Sequence, residues 1–313
     1  MTQPFGKEGW TPNLLDSQKR KTYLITGANT GAGFQATRLL LAKGASVVML
    51  NRNLEKSTVA IEKLKTEFGT AVNVQVIQMD LAELDSVRQA TGRILRDVPD
   101  IDALICNAAI AQVATHQLTV DGFESQLGVN HFGHFLLCGL LFERIQESKG
   151  RIVVVGSNAY KMGKKRIVFE DLNFESKYSA WDAYAQSKLA QMMFGYELQR
   201  RLKAIDSPVQ VHVCHPGAAK TNLLMDTANW FMKYLWIVLS QFIAQSAEKG
   251  AYPEVMCATA EGLQSETLYG PTKSADTVGP VGVCGLDTVA LDREMGSQLW
   301  AVSEQKVGFQ WSV

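Results

Sequence analysis

The sequence predicts an α/β fold: one domain on a doubly wound, parallel, seven-stranded sheet with helices on both faces. Three observations carry this. Short β-branched runs alternate with longer helical patterns through the first two thirds of the chain, as strand–helix–strand units do. The strand runs are apolar throughout instead of alternating, which suits strands covered on both faces. No Pro/Ser-rich linker, compositional break or internal repeat divides the 313 residues, and folds of this size commonly stay whole.

In chain order, strands are expected at 22–26, 46–50, 73–78, 103–106, 151–156 and 209–215, with a shorter one near 267–270. Helical spacing covers 33–43, 54–68, 84–98, 120–147 and 182–203. The last of these places Leu189, Met193 and Tyr196 at helical steps and ends in Arg200, Arg201 and Lys203, favourable against the helix dipole. Residues 1–20 form an N-terminal extension without the basic start and apolar run of a signal peptide.

Composition narrows the function. With 31 Lys+Arg against 31 Asp+Glu the formal net charge is +0, which argues against nucleic acid as a partner. Cys106, Cys138, Cys214, Cys257 and Cys284 contain no C-x-x-C pair and read as reduced, buried thiols of a cytoplasmic protein. His131 and His134 stand three residues apart without a carboxylate or cysteine cluster, so no metal site is expected.

The first strand runs directly into Gly27-Ala28-Asn29-Thr30-Gly31-Ala32-Gly33 and then a helical pattern. Glycines at that turn let backbone N–H groups approach a diphosphate at a helix N-terminus, so the motif points to a dinucleotide. After the second strand, where an acidic residue would bond a ribose 2′-hydroxyl, stand neutral Asn51 and cationic Arg52; a 2′-phosphate would be attracted, favouring NADP(H). Asp80, after the third strand, reads either as a contact to the adenine amino group or as the N-cap of the following helix.

Tyr184 and Lys188 stand four apart on one helix face. Lowering a tyrosine from pKa about 10 to about 7 takes roughly 4 kcal/mol. One cation at about 5 Å in an effective dielectric near 20 supplies about 3 kcal/mol, so Lys188 can do most of it. Ser157 follows the fifth strand, and Asn130 is a polar residue in a mostly apolar helical pattern.

With Cys106-Asn107-Ala108-Ala109 and Pro216-Gly217-x-x-x-Thr221, these pieces resemble the short-chain dehydrogenase/reductase family over roughly residues 20 to 305. The resemblance implies a Rossmann-type NADP(H)-dependent oxidoreductase. Tyr184 would be the general acid/base, Lys188 its partner and the holder of the nicotinamide ribose, Ser157 the group polarising the substrate oxygen, and Asn130 the support of a proton-relay water. Implied cofactor contacts are Gly27, Asn29, Thr30, Gly31, Ala32 and Gly33 of the turn, Asn51 and Arg52, Asp80 and Leu81, Asn107 and Ala108, Tyr184 and Lys188, and Pro216, Gly217 and Thr221. Two departures stand out. Cys106 and Ala109 replace the outer members of the usual Asn-Asn-Ala-Gly, and Ser157 lies 27 residues before Tyr184, an insertion over 161–178.

That insertion, with Asp121-Gly-Phe-Glu124, Asn130-His131-Phe-Gly-His134 and Leu299-Trp-Ala-Val-Ser303, looks like the retinol-dehydrogenase-like branch. The chain is also similar to the light-dependent protochlorophyllide oxidoreductases, the second reading, and an NADP(H)-sensing protein without catalysis is the third. In the family the stretch after the Pro-Gly motif is a mobile substrate lid, here 222–250. Its apolar run at 230–244 fits a lid over an apolar substrate, a subunit or membrane-surface contact, or a core helix. Lys233 and Ser240-Gln241 interrupt it, leaving it short of a bilayer span. A homo-oligomer is the family's common assembly.

Overall fold

The computed structural model describes residues 5–218 and 245–313. Thr221, the 230–244 run and most of the expected lid lie outside the described residues. Strands β1 (Thr22–Thr26), β2 (Ser46–Asn51), β3 (Val74–Gln78), β4 (Ala103–Cys106), β5 (Arg151–Val155), β6 (Gln210–Cys214), β7 (Leu268–Lys273) and β8 (Val278–Val283) form one sheet. Its order is β3-β2-β1-β4-β5-β6-β7-β8. Seven strands run parallel as expected, and β8 returns antiparallel beside β7.

The eighth strand was not expected because Val278-Gly-Pro-Val-Gly-Val283 is rich in residues that weaken ladders. An edge position tolerates them, since one side of the strand needs no partner. There the N-terminal extension helps: Trp10 N donates to Val281 O at 2.9 Å, and the indole is buried.

Alternation along each strand builds two cores. Leu24, Val48, Leu104 and Val154 face helices α3 (Leu84–Asp97), α4 (Gly133–Glu147), α5 (Ala180–Ala204) and α7 (Arg293–Val307). Ile25, Val47, Ile105 and Val153 face α1 (Gly31–Ala42), α2 (Leu54–Phe68) and α6 (Ala247–Thr259). Strand order reverses between β1 and β4, which opens a crevice at their carboxyl ends.

The helix expected over 120–147 is interrupted. The chain turns at Gly122, φ +80°, then forms a short helix, Ser125–Leu127, and a π-turn, Gly128–Phe132, before α4. Gly133 lets the Leu81 carbonyl approach the helix; a Cβ there would lie 2.5 Å from Leu81 O. Helices α6 and α7 were not expected. Pro253 sits inside α6, which disguises the pattern, and α6 opens within the span read as a lid. Among the described residues no helix is long and apolar enough to cross a membrane.

Four buried histidines make the fold acid-sensitive. Burial pushes His131 down from 6.5 to about 3, and His134, His212 and His215 down to about 4. The unfolded chain therefore binds more protons between pH 6.5 and 4, so stability must fall as the pH drops through that window. Urea midpoints measured from pH 7 to pH 4 should decline steadily over this range, and a flat profile would contradict neutral burial of these rings.

Candidate active site

The turn after β1 is held from below by two asparagines. Asn107 Nδ2 donates to Thr26 O at 2.8 Å and Gly27 O at 3.2 Å. Asn51 Oδ1 accepts from Ala28 N at 2.7 Å, while its amide donates to Ser57 Oγ at 3.0 Å. Both were expected to face the cofactor. The structure commits these side-chain amides to the turn itself, because buried backbone groups at a tight turn need partners.

Gly27 and Gly31 have φ of +67° and +59°, and a Cβ on Gly33 would lie 2.6 Å from Gly27 O and closer still to Asn107 Nδ2. Thr30 caps α1 by backbone alone, no acidic residue occupies the first turn, and Ala32 is buried in it. Asn29 reaches Ser57 Oγ at 3.5 Å. This loop fits a diphosphate: glycine leaves room for close approach, and the positive end of α1 faces it without a competing carboxylate.

Arg52 is 73% exposed and stands 3.8 Å from Asp80 Oδ2. Asp80 Oδ1 accepts from Ala82 N at 2.9 Å. The following helix starts at Leu84, with Glu83 at its N-cap, so Asp80 is not the cap. Leu81 is buried, with its carbonyl turned to Gly133.

Under this turn runs a buried network. His134 Nδ1 lies 3.1 Å from Asn130 O. A carbonyl cannot donate, so Nδ1 carries the proton, and Nε2 accepts from Thr26 Oγ1 at 2.9 Å. Thr26 Oγ1 in turn accepts from Ala108 N at 2.9 Å. Asn130 bonds both sides of Ile110, accepting from its N and donating to its O at 2.9 Å, and donates to Ser187 Oγ at 2.9 Å. His131 is engaged elsewhere, 2.7 Å from Ser303 Oγ.

Tyr184 and Lys188 lie one turn apart on α5. Burial raises the Tyr184 phenol above its usual value, opposed by the nearby Ser157 hydroxyl. Lys188 Nζ, also buried, donates to Val155 O at 3.0 Å and Gln191 Oε1 at 2.8 Å. Burial pushes this ammonium down to about 7, while Glu254 and Cys214 pull it up. The expected lowering of Tyr184 by Lys188 is not seen; setting a single cation against the phenol leaves out the desolvation of both groups.

The insertion after Ser157 walls this corner. Val168 N donates to Gln186 Oε1 at 2.8 Å and Tyr178 OH to Val113 O at 2.6 Å. Ala111 and Ala159 pack on Tyr184, and the Trp181 ring lies 6.3 Å from the Tyr184 ring and stays 38% exposed. Beyond β6, Gly217 has φ +69°, Ala218 N donates to Thr277 O at 2.8 Å, and Gln245 holds Pro216 O at 2.8 Å. The structure thus gathers Asn130, Ser157, Tyr184, Lys188 and the glycine turn at the carboxyl ends of the strands. Sequence reasoning missed Thr26, His134 and Ser187 as its supports; His134, spaced i, i+4 from Asn130, carried a signal.

The short chain dehydrogenase family pattern matches residues 21–170. Retinol dehydrogenase 11 of Homo sapiens is 35% identical over 289 residues, covering 92% of this chain and 86% of that protein. A crystal structure of an uncharacterized Mycobacterium paratuberculosis protein aligns with TM-score 0.79 and 37% identity over 97% of this chain and 100% of that one. A Shigella flexneri short chain dehydrogenase complexed with NADP shares the fold at TM-score 0.61 and 20% identity, over 80% of this chain and 96% of that one. The chain belongs to the short-chain dehydrogenase family, in its retinol-dehydrogenase-like branch. It is an oxidoreductase by family and carries that family's fold.

The glycine cradle gives a direct test. Gly33→Ala pushes a methyl into Asn107 and Gly27, so NADPH affinity, read by fluorescence titration, should fall by about tenfold or more. Unchanged affinity in the folded variant would contradict this placement of the dinucleotide.

Proposed function

We propose that the protein reduces an apolar aldehyde or ketone, reversibly, with NADPH. The observation that carries the reading is the convergence of Tyr184 and the neighbouring Ser157 hydroxyl with Lys188 one helical turn away and Asn130 fixing α5 through Ser187. The cofactor supplies the hydride when bound. Gly27, Gly31 and Gly33 leave room for its diphosphate, and Arg52, exposed and without an acidic residue at position 51, supports a 2′-phosphate and hence NADP(H) over NAD(H).

The chain's own residues divide the remaining work. Tyr184 has its proton affinity raised by burial, so at neutral pH it is a proton donor. Placed against a carbonyl oxygen, it gives its proton as the oxygen gains charge. Ser157, whose hydroxyl accepts from Ala159 N at 3.2 Å and lies beside the phenol, polarises the same oxygen. Lys188, when charged, stabilises the phenolate left behind. Asn130 has every amide function engaged, so it holds the loop at Ile110 and α5 in one geometry.

The apolar substrate class is supported by Ala111 and Ala159 beside Tyr184 and by the half-exposed Trp181. The retinol dehydrogenases among its relatives favour an isoprenoid or long-chain aldehyde over a pigment. The test is NADPH oxidation with all-trans-retinal, long-chain aldehydes, polycyclic ketones and protochlorophyllide, in dark and light. Dark turnover of an apolar carbonyl is expected. Tyr184→Phe should keep NADPH affinity and lose at least about 100-fold in kcat, the scale of general acid catalysis. Equal turnover in this variant would overturn the assignment.

A further inference from the structure

Trp181 differs from the other described tryptophans. Trp10, Trp300 and Trp311 are buried, whereas Trp181 keeps 38% of its surface open. It stands in the first turn of α5, whose start is capped by Ser179 Oγ accepting from Asp182 N at 3.2 Å, so helix formation there does not call for an indole. The ring it meets is that of Tyr184, with 6.3 Å between centroids and 56° between planes. One part of the indole thus lies against the phenol ring, and much of the remainder is open.

Met162 is exposed in the same corner. It follows the short turn after Ser157, Asn158–Lys161. Gly163, next in sequence, lies against α5: a Cβ there would stand 2.9 Å from Ala185 Cβ and 3.1 Å from Asp182 Oδ1. Met162 and Trp181 each adjoin that contact in sequence, so two large, open apolar side chains flank it beside Tyr184. Exposed apolar residues scattered singly need no explanation, but a pair gathered next to the reacting group does.

The backbone under the indole is fixed from the neighbouring loops. Gln126 Nε2 donates to Ala180 O at 3.2 Å and to Tyr178 OH at 3.3 Å, and Tyr178 OH donates to Val113 O at 2.6 Å. An aromatic side chain on a backbone held in this way loses little freedom on contact with a ligand, which suits a selective anchor.

We propose that Trp181 is a specificity-determining residue: its open indole face, with Met162 beside it, is the platform for the flat, extended apolar part of a substrate whose carbonyl meets Tyr184. The inference rests on the reading of Tyr184 given above and adds how the far end of the substrate is selected. An indole offers a large apolar area and a π-face, so it favours a conjugated body, whereas a short aldehyde ends before it gains that contact. Loss of the indole should therefore cost long substrates more than short ones.

The binding test needs no turnover. Titrating all-trans-retinol into the full chain with NADP+ present, and reading retinol fluorescence, gives its Kd. Trp181→Ala should raise this Kd about tenfold, and Trp181→Phe, which keeps a ring, by about threefold or less. Trp181→Leu repeats the measurement should the alanine variant not fold. An equal Kd without the indole, or no binding of retinol by the unsubstituted chain, would overturn the proposal.

In steady state, the ratio of kcat/KM for all-trans-retinal to that for propanal should fall about tenfold in Trp181→Ala, through KM for retinal. A loss shared equally by the two aldehydes would mean that the ring only supports Tyr184, and would overturn the platform. Absence of turnover with every carbonyl in the unsubstituted chain would instead refute the reductase reading, and the retinol titration would still decide the role of Trp181.

Discussion

The bond between Thr26 and His134 ties the end of the first strand to the helix that carries Asn130. Through it the glycine turn, the loop after β4 and the helix bearing Tyr184 become one connected object. Thr26 receives the Ala108 amide, His134 holds the Asn130 carbonyl, and Asn130 reaches Ile110 and Ser187. The bonds of Thr26 to His134, His134 to Asn130 and Asn130 to Ser187 are buried, so breaking one would leave a buried group unpaired at a cost of about 1–3 kcal/mol. Such a network sets geometry more strictly than apolar packing does, and geometry is what a hydride and proton transfer in one site needs.

The π-turn at Gly128–Phe132 belongs to the same constraint. One extra residue in the turn re-aims the helix at the position where Asn130 must meet both the β4 loop and α5. Gly133, against the Leu81 carbonyl, lets the re-aimed helix pack closely. The same economy appears at the cofactor turn, where Asn51 and Asn107 spend their amides on backbone and leave the dinucleotide to glycines and the end of α1.

Much of the fold was legible because alternation of apolar strands and amphipathic helices is a local signal. β1 to β7 follow from it. β8 does not, since an edge strand beside a tight hairpin can be built from glycine and proline. Helix α6, with its internal Pro253, and the interruption of 120–147 also escaped, because both depend on contacts distant in sequence. In the site, the spacing of Tyr184 and Lys188 and the glycine turn could be read directly. The internal engagement of Asn51 and Asn107 could not.

Burial sets the chemistry of this site against itself. It raises the Tyr184 phenol, which in the proposed reaction keeps it ready to donate, and it lowers Lys188, which discourages the charge proposed to stabilise the phenolate. The most direct measurement of the central claim is transfer of label from [4,4-2H2]NADPH to an apolar aldehyde, read by mass spectrometry of the alcohol. The account expects one deuterium on the former carbonyl carbon with the wild-type chain and almost none with Tyr184→Phe. NADPH oxidation that leaves the alcohol unlabelled, or equal labelling by the variant, would contradict it.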